Sequence, residues 1–294
     1  MREGSELNEV MRVMLASIFT KQDNAVIMSA NPEHDKSVKD FSLLKQVLKD
    51  YDPSEVSSET SPVDAMAGAN YMWVGASAAE VIMTAIAASR LTEVNRVLDL
   101  PCGHGRILRH LVKMFPDATF DACDLDSDGV DFCVNQFNAR PIRSQEDMTK
   151  VKFEALYDII WIGSLFTHTS AEITKSWLSF LAKHLTENGI IVATFHGRIA
   201  LELQKINPYI DEQKWSKIMD GHHSTGYGFA DYSSDNKHGY ISGSYGVSVA
   251  KPNGLMSILE GIPDVRIFMY QERAWANNHD VVVIGRPAWD DGLR

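Results

Sequence analysis

The chain is predicted to be an α/β protein with a mostly parallel seven-stranded sheet, an antiparallel last strand and helices on both faces. Three observations predict this fold class. An apolar strand at 96–100 enters a Gly-x-Gly turn, and a helical pattern follows over 105–115. Strand and helix patterns then alternate, which is typical of βαβ units. Two closely spaced strands, at 264–270 and 280–285, end the pattern as a predicted hairpin.

The other elements fill the alternation between these two ends. Apolar runs predict further strands at 118–123, about 140–143, 158–162 and 190–195. Strand 158–162 is apolar on both faces, as a central parallel strand should be. Helices are predicted from about Ser77 to Arg90, from about Ser127, from a capping box at 169–172 to Asn188-Gly189, and over 252–260.

Composition divides the chain into three parts. Residues 1–65 are predicted to be an N-terminal helical extension with helices near 7–18 and 38–48, followed by a Ser/Glu/Pro-rich linker at 53–62. Residues 66–200 and 246–294 form the predicted core. Residues 201–245 are too long for a routine connection and are predicted to be a substrate-side insertion. Tyrosines in and beside this insertion suggest an aromatic acceptor pocket: Tyr227, Tyr232, Tyr240 and Tyr245.

The glycine turn distinguishes between nucleotide ligands. A dinucleotide site expects a third glycine where this chain has Leu108, and a phosphate-binding P-loop expects lysine where it has Arg106. Asp99 stands before the glycines, where it would repel a pyrophosphate. An acid at this position suits a ligand without phosphates and with a positive end, and S-adenosylmethionine (SAM) is such a ligand.

A second acid supports the same interpretation. Asp124 closes the strand at 118–123, about 20 residues after the turn, where a βαβ unit places a carboxylate on ribose hydroxyls. With these residues the chain resembles the class I SAM-dependent methyltransferases: 98–105 matches their first motif, 157–168 their fourth-strand motif and 188–194 the entry to their fifth strand. The resemblance implies a Rossmann-like sheet, SAM as cofactor and S-adenosylhomocysteine (SAH) as product.

The resemblance also assigns roles to individual residues. Asp99 and the turn should hold the methionine end, Asp124 the ribose, and Gln145, in the turn after the third strand, the adenine. Residues at the end of the fourth strand should lie near the sulfonium, and Tyr71 is a candidate contact to the methionine end. The complete predicted cofactor set is Asp99, Pro101, Gly103, Gly105, Asp124, Leu125, Gln145, Gly163, Ser164 and Tyr71.

Two histidines are the candidate catalytic residues. His168 follows the fourth strand and His196 the fifth, at the carboxyl ends where open α/β sheets bind ligands. Either could act as a base or orient the acceptor. The predicted acceptor is a hydroxyl of a small metabolite, natural product or saccharide, while nitrogen and carboxylate acceptors remain open. The histidine spacings match no metal motif, so no metal is predicted.

Charge and cysteine content restrict the partners. The net charge of −11, without a dense Lys/Arg cluster, argues against nucleic acid as the acceptor. Three scattered cysteines predict a reducing cytoplasm, and neither a signal sequence nor a membrane span is predicted. A homodimer is left open. Two other functions also remain open at this point: an NAD-dependent oxidoreductase, and a non-catalytic SAM-binding module that acts as a partner or regulator.

Overall fold

The computed structural model describes residues 41–232 and 245–286. The predicted helix near residues 7–18 lies outside these ranges, as does Tyr240. The described helices are α1 (Ser42–Asp50), α2 (Tyr71–Ser89), α3 (Leu108–Met114), α4 (Ser127–Phe137), α5 (Ala171–Ala182), α6 (Ile199–Ile206), α7 (Glu212–Ser224) and α8 (Pro252–Glu260). The strands are β1 (Arg96–Leu100), β2 (Thr119–Asp124), β3 (Arg140–Arg143), β4 (Tyr157–Ile162), β5 (Leu185–His196), β6 (Tyr227–Asp231), β7 (Gly246–Ala250), β8 (Arg266–Trp275) and β9 (His279–Gly285).

Seven strands form one sheet in the order β3-β2-β1-β4-β5-β9-β8. Strands β3, β2, β1, β4 and β5 run parallel, and β9 runs antiparallel to both of its neighbours. The predicted fold class is therefore confirmed. The strand order reverses between β1 and β4, and open α/β sheets bind their ligands at such a switch point, beyond the carboxyl ends of the strands.

The core lies on both faces of this sheet. Alternate residues of the central strands enter separate apolar clusters: Val97, Ile159 and Trp161 on one face, Leu98 and Ile160 on the other. All of these side chains are fully buried. Because both faces are covered, β1 and β4 need apolar residues at almost every position, and this is the pattern that made them predictable.

Several element boundaries differ from the prediction. The helix after the glycine turn begins at Leu108 rather than at 105, because Gly103 and Gly105 have positive φ angles that a right-handed helix does not accommodate. The predicted end of α5 at Asn188-Gly189 was wrong. That helix ends at Ala182, and both residues lie within β5. A Cβ at Gly189 would lie 2.4 Å from the Tyr157 carbonyl oxygen, so this glycine permits close strand contact.

The predicted capping box also needs correction. Ser170, not Thr169, is the N-cap of α5, and its hydroxyl accepts a hydrogen bond from the Ile173 amide. Thr169 is instead buried, with its hydroxyl 2.8 Å from that of Thr174. Two adjacent hydroxyl residues precede this helix, and only the one whose backbone is extended directly before the first helical turn can cap it.

Helix α2 begins at Tyr71, six residues before its predicted start. Its 19 residues reach a mean hydropathy of 1.4, so by length and composition the helix could cross a membrane, which the sequence reading had missed. Half of that apolar stretch is buried inside the protein, and the helix packs against α1, α3 and the β8–β9 side of the sheet. These contacts are those of a core helix in a globular domain.

A second, two-stranded sheet joins the predicted insertion to the core. Strands β6 and β7 pair antiparallel, and α7 packs against them around Ile218, Ala230, Val247 and Val249. Strand β7 also contacts β5, and the amides of Gly246 and Ser248 donate to the carbonyl oxygens of His168 and Thr167. The small sheet therefore lies directly beside the segments that follow β4 and β5.

Candidate functional site

The glycine turn has the backbone conformation that the sequence implied. Gly103 and Gly105 have φ angles of +47° and +73°, which favour glycine. A Cβ at Gly105 would lie 2.4 Å from the Phe137 ring, whereas a Cβ at Gly103 would meet no atom within 4 Å. Gly105 is thus required by packing, and Gly103 borders open space that a ligand could occupy.

Asp124 fixes this turn to the end of β2. Its Oδ2 accepts a hydrogen bond of 2.7 Å from the Gly103 amide, and Oδ1 accepts one of 3.0 Å from the Asp126 amide. Burial raises the pKa of the Asp124 carboxyl, and these amides counteract the shift. A carboxylate has about four acceptor sites. Asp124 therefore keeps acceptor capacity for ligand hydroxyls after bonding both amides.

Asp99 lies in the interior of the protein. The side chain is fully buried on β1, with the Leu108 amide near its carboxyl group. Burial, followed by the nearby charge of Asp124, raises its pKa well above the usual range. Asp99 does not border the cavity described next, and its contact with the methionine end stays a prediction.

A cavity of about 280 Å³ opens between the carboxyl ends of β1, β2 and β4. Five predicted cofactor residues line it, namely Pro101, Gly103, Asp124, Leu125 and Gln145. Ser144, Glu146 and Met148 also line it, in and just after the turn that the sequence assigned to the adenine. The size is near the lower end of small-molecule sites, which are about 300–1,000 Å³.

The other predicted cofactor residues lie outside the cavity lining. Gly105 packs against α4, and Gly163 and Ser164 follow β4, where the Ser164 amide donates to the Thr194 hydroxyl at 2.8 Å. Tyr71 is buried under the glycine turn. Its hydroxyl donates to the His104 carbonyl oxygen at 3.4 Å, and the Arg109 guanidinium lies 5.0 Å from its ring centroid. Tyr71 therefore packs against the glycine turn and does not line the cavity.

One wall of the cavity was not predicted from the sequence. Val63, Asp64, Ala65 and Met66 line it, and they directly follow the predicted linker at 53–62. We call residues 57–66 the strap. Its composition is that of an ordinary linker, so local sequence gives no signal of this role.

One buried arginine fastens the strap to the core. The Arg109 guanidinium donates to the carbonyl oxygens of Ser57 at 2.7 Å and Glu59 at 2.8 Å, and its Nε donates to that of Gly105 at 3.0 Å. The residue is only 2% exposed. Because the same side chain bonds the strap and the glycine turn, it fixes two walls of the cavity relative to each other.

The two candidate catalytic histidines lie together. Their ring centroids are 6.4 Å apart, and each Nδ1 donates to a carbonyl oxygen of β7: His168 to Gly246 at 2.7 Å and His196 to Ser248 at 3.1 Å. Neither histidine borders the described cavity. Burial, and then the neighbouring His168, lowers the pKa of His196 to about 3. His196 is therefore neutral at physiological pH, with its lone pair on Nε2.

A third histidine, which the sequence did not predict to be catalytic, extends this cluster. The His279 ring centroid is 5.1 Å from that of His196, and its Nδ1 lies 3.2 Å from the Thr194 hydroxyl. Tyr245 stacks on His168 with ring centroids 4.5 Å apart, and Tyr209 lies 4.8 Å from His196. By contrast, Tyr227 is buried in the core. In the part of the chain that the structure describes, no three His, Cys, Asp or Glu side chains are grouped to hold a metal ion.

Arg106 lies between the cavity side and this histidine cluster. Its guanidinium is 5.8 Å from the Trp275 ring centroid and close enough to His279 to lower the pKa of that imidazole further. Burial lowers the pKa of Arg106, while the carboxylates of Asp64 and Asp99 act in the opposite direction. Over residues 41–232 and 245–286, its guanidinium forms neither a hydrogen bond nor an ion pair.

Residues 98–191 match the family model described as a methyltransferase domain. This segment holds the glycine turn, Asp124 and strands β1 to β4. This match supports the resemblance of the chain to the class I SAM-dependent methyltransferases. The fold agrees, because the PH0226 protein from Pyrococcus horikoshii OT3 superimposes with a TM-score of 0.52 at 13% identity, covering 77% of this chain and 96% of that one.

Two relatives share part of this sequence. A malonyl-[acyl-carrier protein] O-methyltransferase of Halalkalibacterium halodurans is 27% identical over 158 residues, which cover 44% of this chain and 55% of that protein. A fatty-acid O-methyltransferase of Mycolicibacterium smegmatis is 42% identical over 52 residues, which cover 18% of this chain and 19% of that protein. The chain thus spans about half the length of the first relative and less of the second.

The residues around the cavity fit the family cofactor. Asp124 retains acceptor sites where the sequence predicts the ribose, Gly103 borders open space, and the turn at 144–146, where the sequence predicts the adenine, lines the cavity. SAM, when bound, supplies a methyl group on a sulfonium that is already activated for displacement. The task of the protein is then mainly to hold the donor and the acceptor in line.

Proposed function

We propose that this protein is a SAM-dependent methyltransferase that transfers a methyl group to an oxygen atom of a small organic acceptor. The observation that carries the proposal is the cavity between β1, β2 and β4, where Gly103 and the partly satisfied Asp124 carboxylate meet. Asp124 would hold the ribose hydroxyls, and Gln145 would lie against the adenine. The histidine cluster, on the side of the insertion, would orient the acceptor.

Calorimetric titration with SAM, SAH and NAD in parallel tests the cofactor assignment. We expect both adenosyl-amino acids to bind with micromolar affinity and NAD not to bind, because the turn has Leu108 where a dinucleotide site has its third glycine. Binding of NAD alone would overturn the proposal in favour of hydride transfer. Binding of SAM without methyl transfer to any acceptor would favour a non-catalytic binding module.

The chemical nature of the acceptor atom determines whether a histidine is needed as a general base. A hydroxyl, the acceptor expected from the sequence, loses a proton during transfer and gains from a general base whose pKa is near the working pH. The pKa of His196, about 3, makes it a weak base. A carboxylate needs no base because it is already ionised at neutral pH. The low basicity of His196 therefore supports a carboxylate acceptor more than a hydroxyl.

Arg106 supports the same second candidate. Its guanidinium lies beside Trp275 and His279 and has no partner within the described ranges, so a ligand carboxylate could pair with it. Both relatives described above are named as O-methyltransferases, one of them of fatty acids. We therefore propose a carboxylic acid as the preferred acceptor and a hydroxyl compound as the alternative.

Two variants distinguish these acceptors. If the acceptor is a carboxylate, Arg106→Gln should raise KM for the acid about tenfold or more, while His196→Asn should change kcat little. If it is a hydroxyl, His196→Asn should lower kcat about 100-fold or more, because Nε2 is lost while the amide can still donate to Ser248. The measurement is steady-state methylation of a medium-chain fatty acid and of an alcohol of the same length. We expect the first pattern, and the second would overturn the carboxylate assignment.

We further propose that the predicted division of the chain reflects its function. Residues 66–200 and 246–294 would form the catalytic core, 201–245 the acceptor side, and 1–65 an extension whose end, together with Met66, forms the strap at the cofactor cavity. The three cysteines are free and buried, which supports a reducing compartment such as the cytoplasm. A homodimer stays a proposal, testable by light scattering.

A further inference from the structure

The strap places one acid at the cofactor cavity. The Asp64 side chain is 5% exposed and lines the cavity beside the glycine turn. Its Oδ1 accepts a hydrogen bond of 2.9 Å from the Met66 amide, whereas no described donor meets hydrogen-bond geometry with its buried Oδ2. The Tyr71 hydroxyl and the Arg106 guanidinium are nevertheless close enough to interact with this carboxylate. A buried carboxylate oxygen is costly unless a partner of opposite charge or a donor satisfies it.

The position of Asp64 identifies the part of a ligand that it would meet. Asp124 and the turn at 144–146 mark the ribose and adenine side of the cavity. Asp64 lies at the side of the glycine turn, with its Oδ1 3.9 Å from Nδ1 of His104. An adenosyl ligand whose nucleoside lies at Asp124 and the 144–146 turn directs its amino-acid end toward the glycine turn and Asp64. Of the two acids near this end, Asp64 lines the cavity and Asp99 does not.

We propose that Asp64 binds the α-ammonium group of SAM, an assignment that rests on the proposed function. The strap then acts as a specificity-determining wall that distinguishes adenosyl-amino acids from other adenosyl compounds. Arg109 holds this wall in place through the carbonyl oxygens of Ser57 and Glu59. The ammonium would donate to Oδ2, while Oδ1 keeps its bond to the Met66 amide.

The test compares two ligands and two variants by calorimetric titration. SAH carries the ammonium, and 5′-methylthioadenosine has the same nucleoside and sulfur but no amino-acid end. Asp64→Asn keeps an oxygen for the Met66 amide and removes only the charge. We expect the variant to bind SAH about tenfold more weakly and methylthioadenosine unchanged. Weaker binding of SAH would also identify the ammonium as the group that Asp64 contacts. If Asp64 instead lay beside the carboxylate of SAH, removal of its charge would strengthen binding.

Asp128→Asn is the matched control. Asp128 contacts the other side of His104, with Oδ2 2.9 Å from Nε2, but it is 64% exposed in its side chain and does not line the cavity. Its variant should leave both affinities unchanged. Equal weakening of both ligands in Asp64→Asn, an unchanged SAH affinity, or the same loss in Asp128→Asn would each overturn the assignment. Failure of the wild-type protein to bind SAH would instead overturn the proposed function itself.

Discussion

Replacement of Asp124 by alanine is expected to weaken the binding of SAM, SAH and methylthioadenosine about 100-fold each, since two hydrogen bonds from ribose hydroxyls to a carboxylate contribute about 3 kcal/mol together. The ribose is common to all three ligands. The loss should therefore be uniform, unlike the selective loss expected for Asp64→Asn. Parallel titrations of the three ligands provide the measurement.

Asp126→Asn is the control for this experiment. Asp126 also lines the cavity, but its side chain accepts the Asp128 amide as the N-cap of α4, and asparagine preserves this cap. We expect its affinities to stay within about twofold of the wild-type values. Because Asp124 also bonds the amides of Gly103 and Asp126, the melting temperature of Asp124→Ala must be recorded, and titrations done well below it. Unchanged affinity in folded Asp124→Ala would refute the ribose assignment.

Replacement of Arg109 by leucine is expected to lower the free energy of unfolding by about 3 kcal/mol, because the carbonyl oxygens of Ser57, Glu59 and Gly105 lose their donor. In a chain of this size the melting temperature should fall by roughly 6–12 °C, as measured by circular dichroism. SAM affinity should fall as well, since the strap loses its attachment to the glycine turn. Arg109→Lys should be intermediate, because one ammonium cannot reach all three oxygens.

Lys113→Leu is the matched control for Arg109. Lys113 lies one turn further along α3 and pairs with Glu55, also in the N-terminal segment, but this pair is exposed to solvent. Exposed pairs contribute about 0–1 kcal/mol, so its melting temperature should change little. Equal destabilisation by both variants would show that any contact between α3 and the N-terminal segment suffices. The specific role of Arg109 would then be wrong.

The sequence predicted the sheet because each strand carries its own signal. Buried runs such as 158–162 have few alternatives to a central strand, and the Asp99–Gly105 motif fixes the first strand, turn and helix. The element boundaries were harder to predict. Helix α2 begins at Tyr71, earlier in the chain than predicted, because the residues there show no helical spacing of apolar and polar side chains. Asn188-Gly189 looked like a helix end, although Gly189 serves a close contact with the Tyr157 backbone.

Residues of the candidate site could be predicted from the sequence only where they stand at the end of a strand or directly after it. Asp124 and Gln145 follow strands, so their place at the sheet edge is fixed by topology. Asp64 and Arg109 depend on contacts between segments about 50 residues apart, and the acceptors of Arg109 are backbone carbonyl oxygens that any residue possesses. Hydrogen bonds to backbone carbonyl oxygens do not restrict which residues supply them, so the sequence carries no signal of them.

The attachment of both catalytic candidates to β7 has an evolutionary consequence. His168 and His196 are oriented by main-chain oxygens two residues apart, and such oxygens face one way along a strand regardless of which side chains it carries. Substitutions along β7 can therefore accumulate without turning the imidazoles. Gain or loss of a single residue there would instead invert the strand and release both rings. In this lineage, length at β7 should be under stronger selection than residue identity.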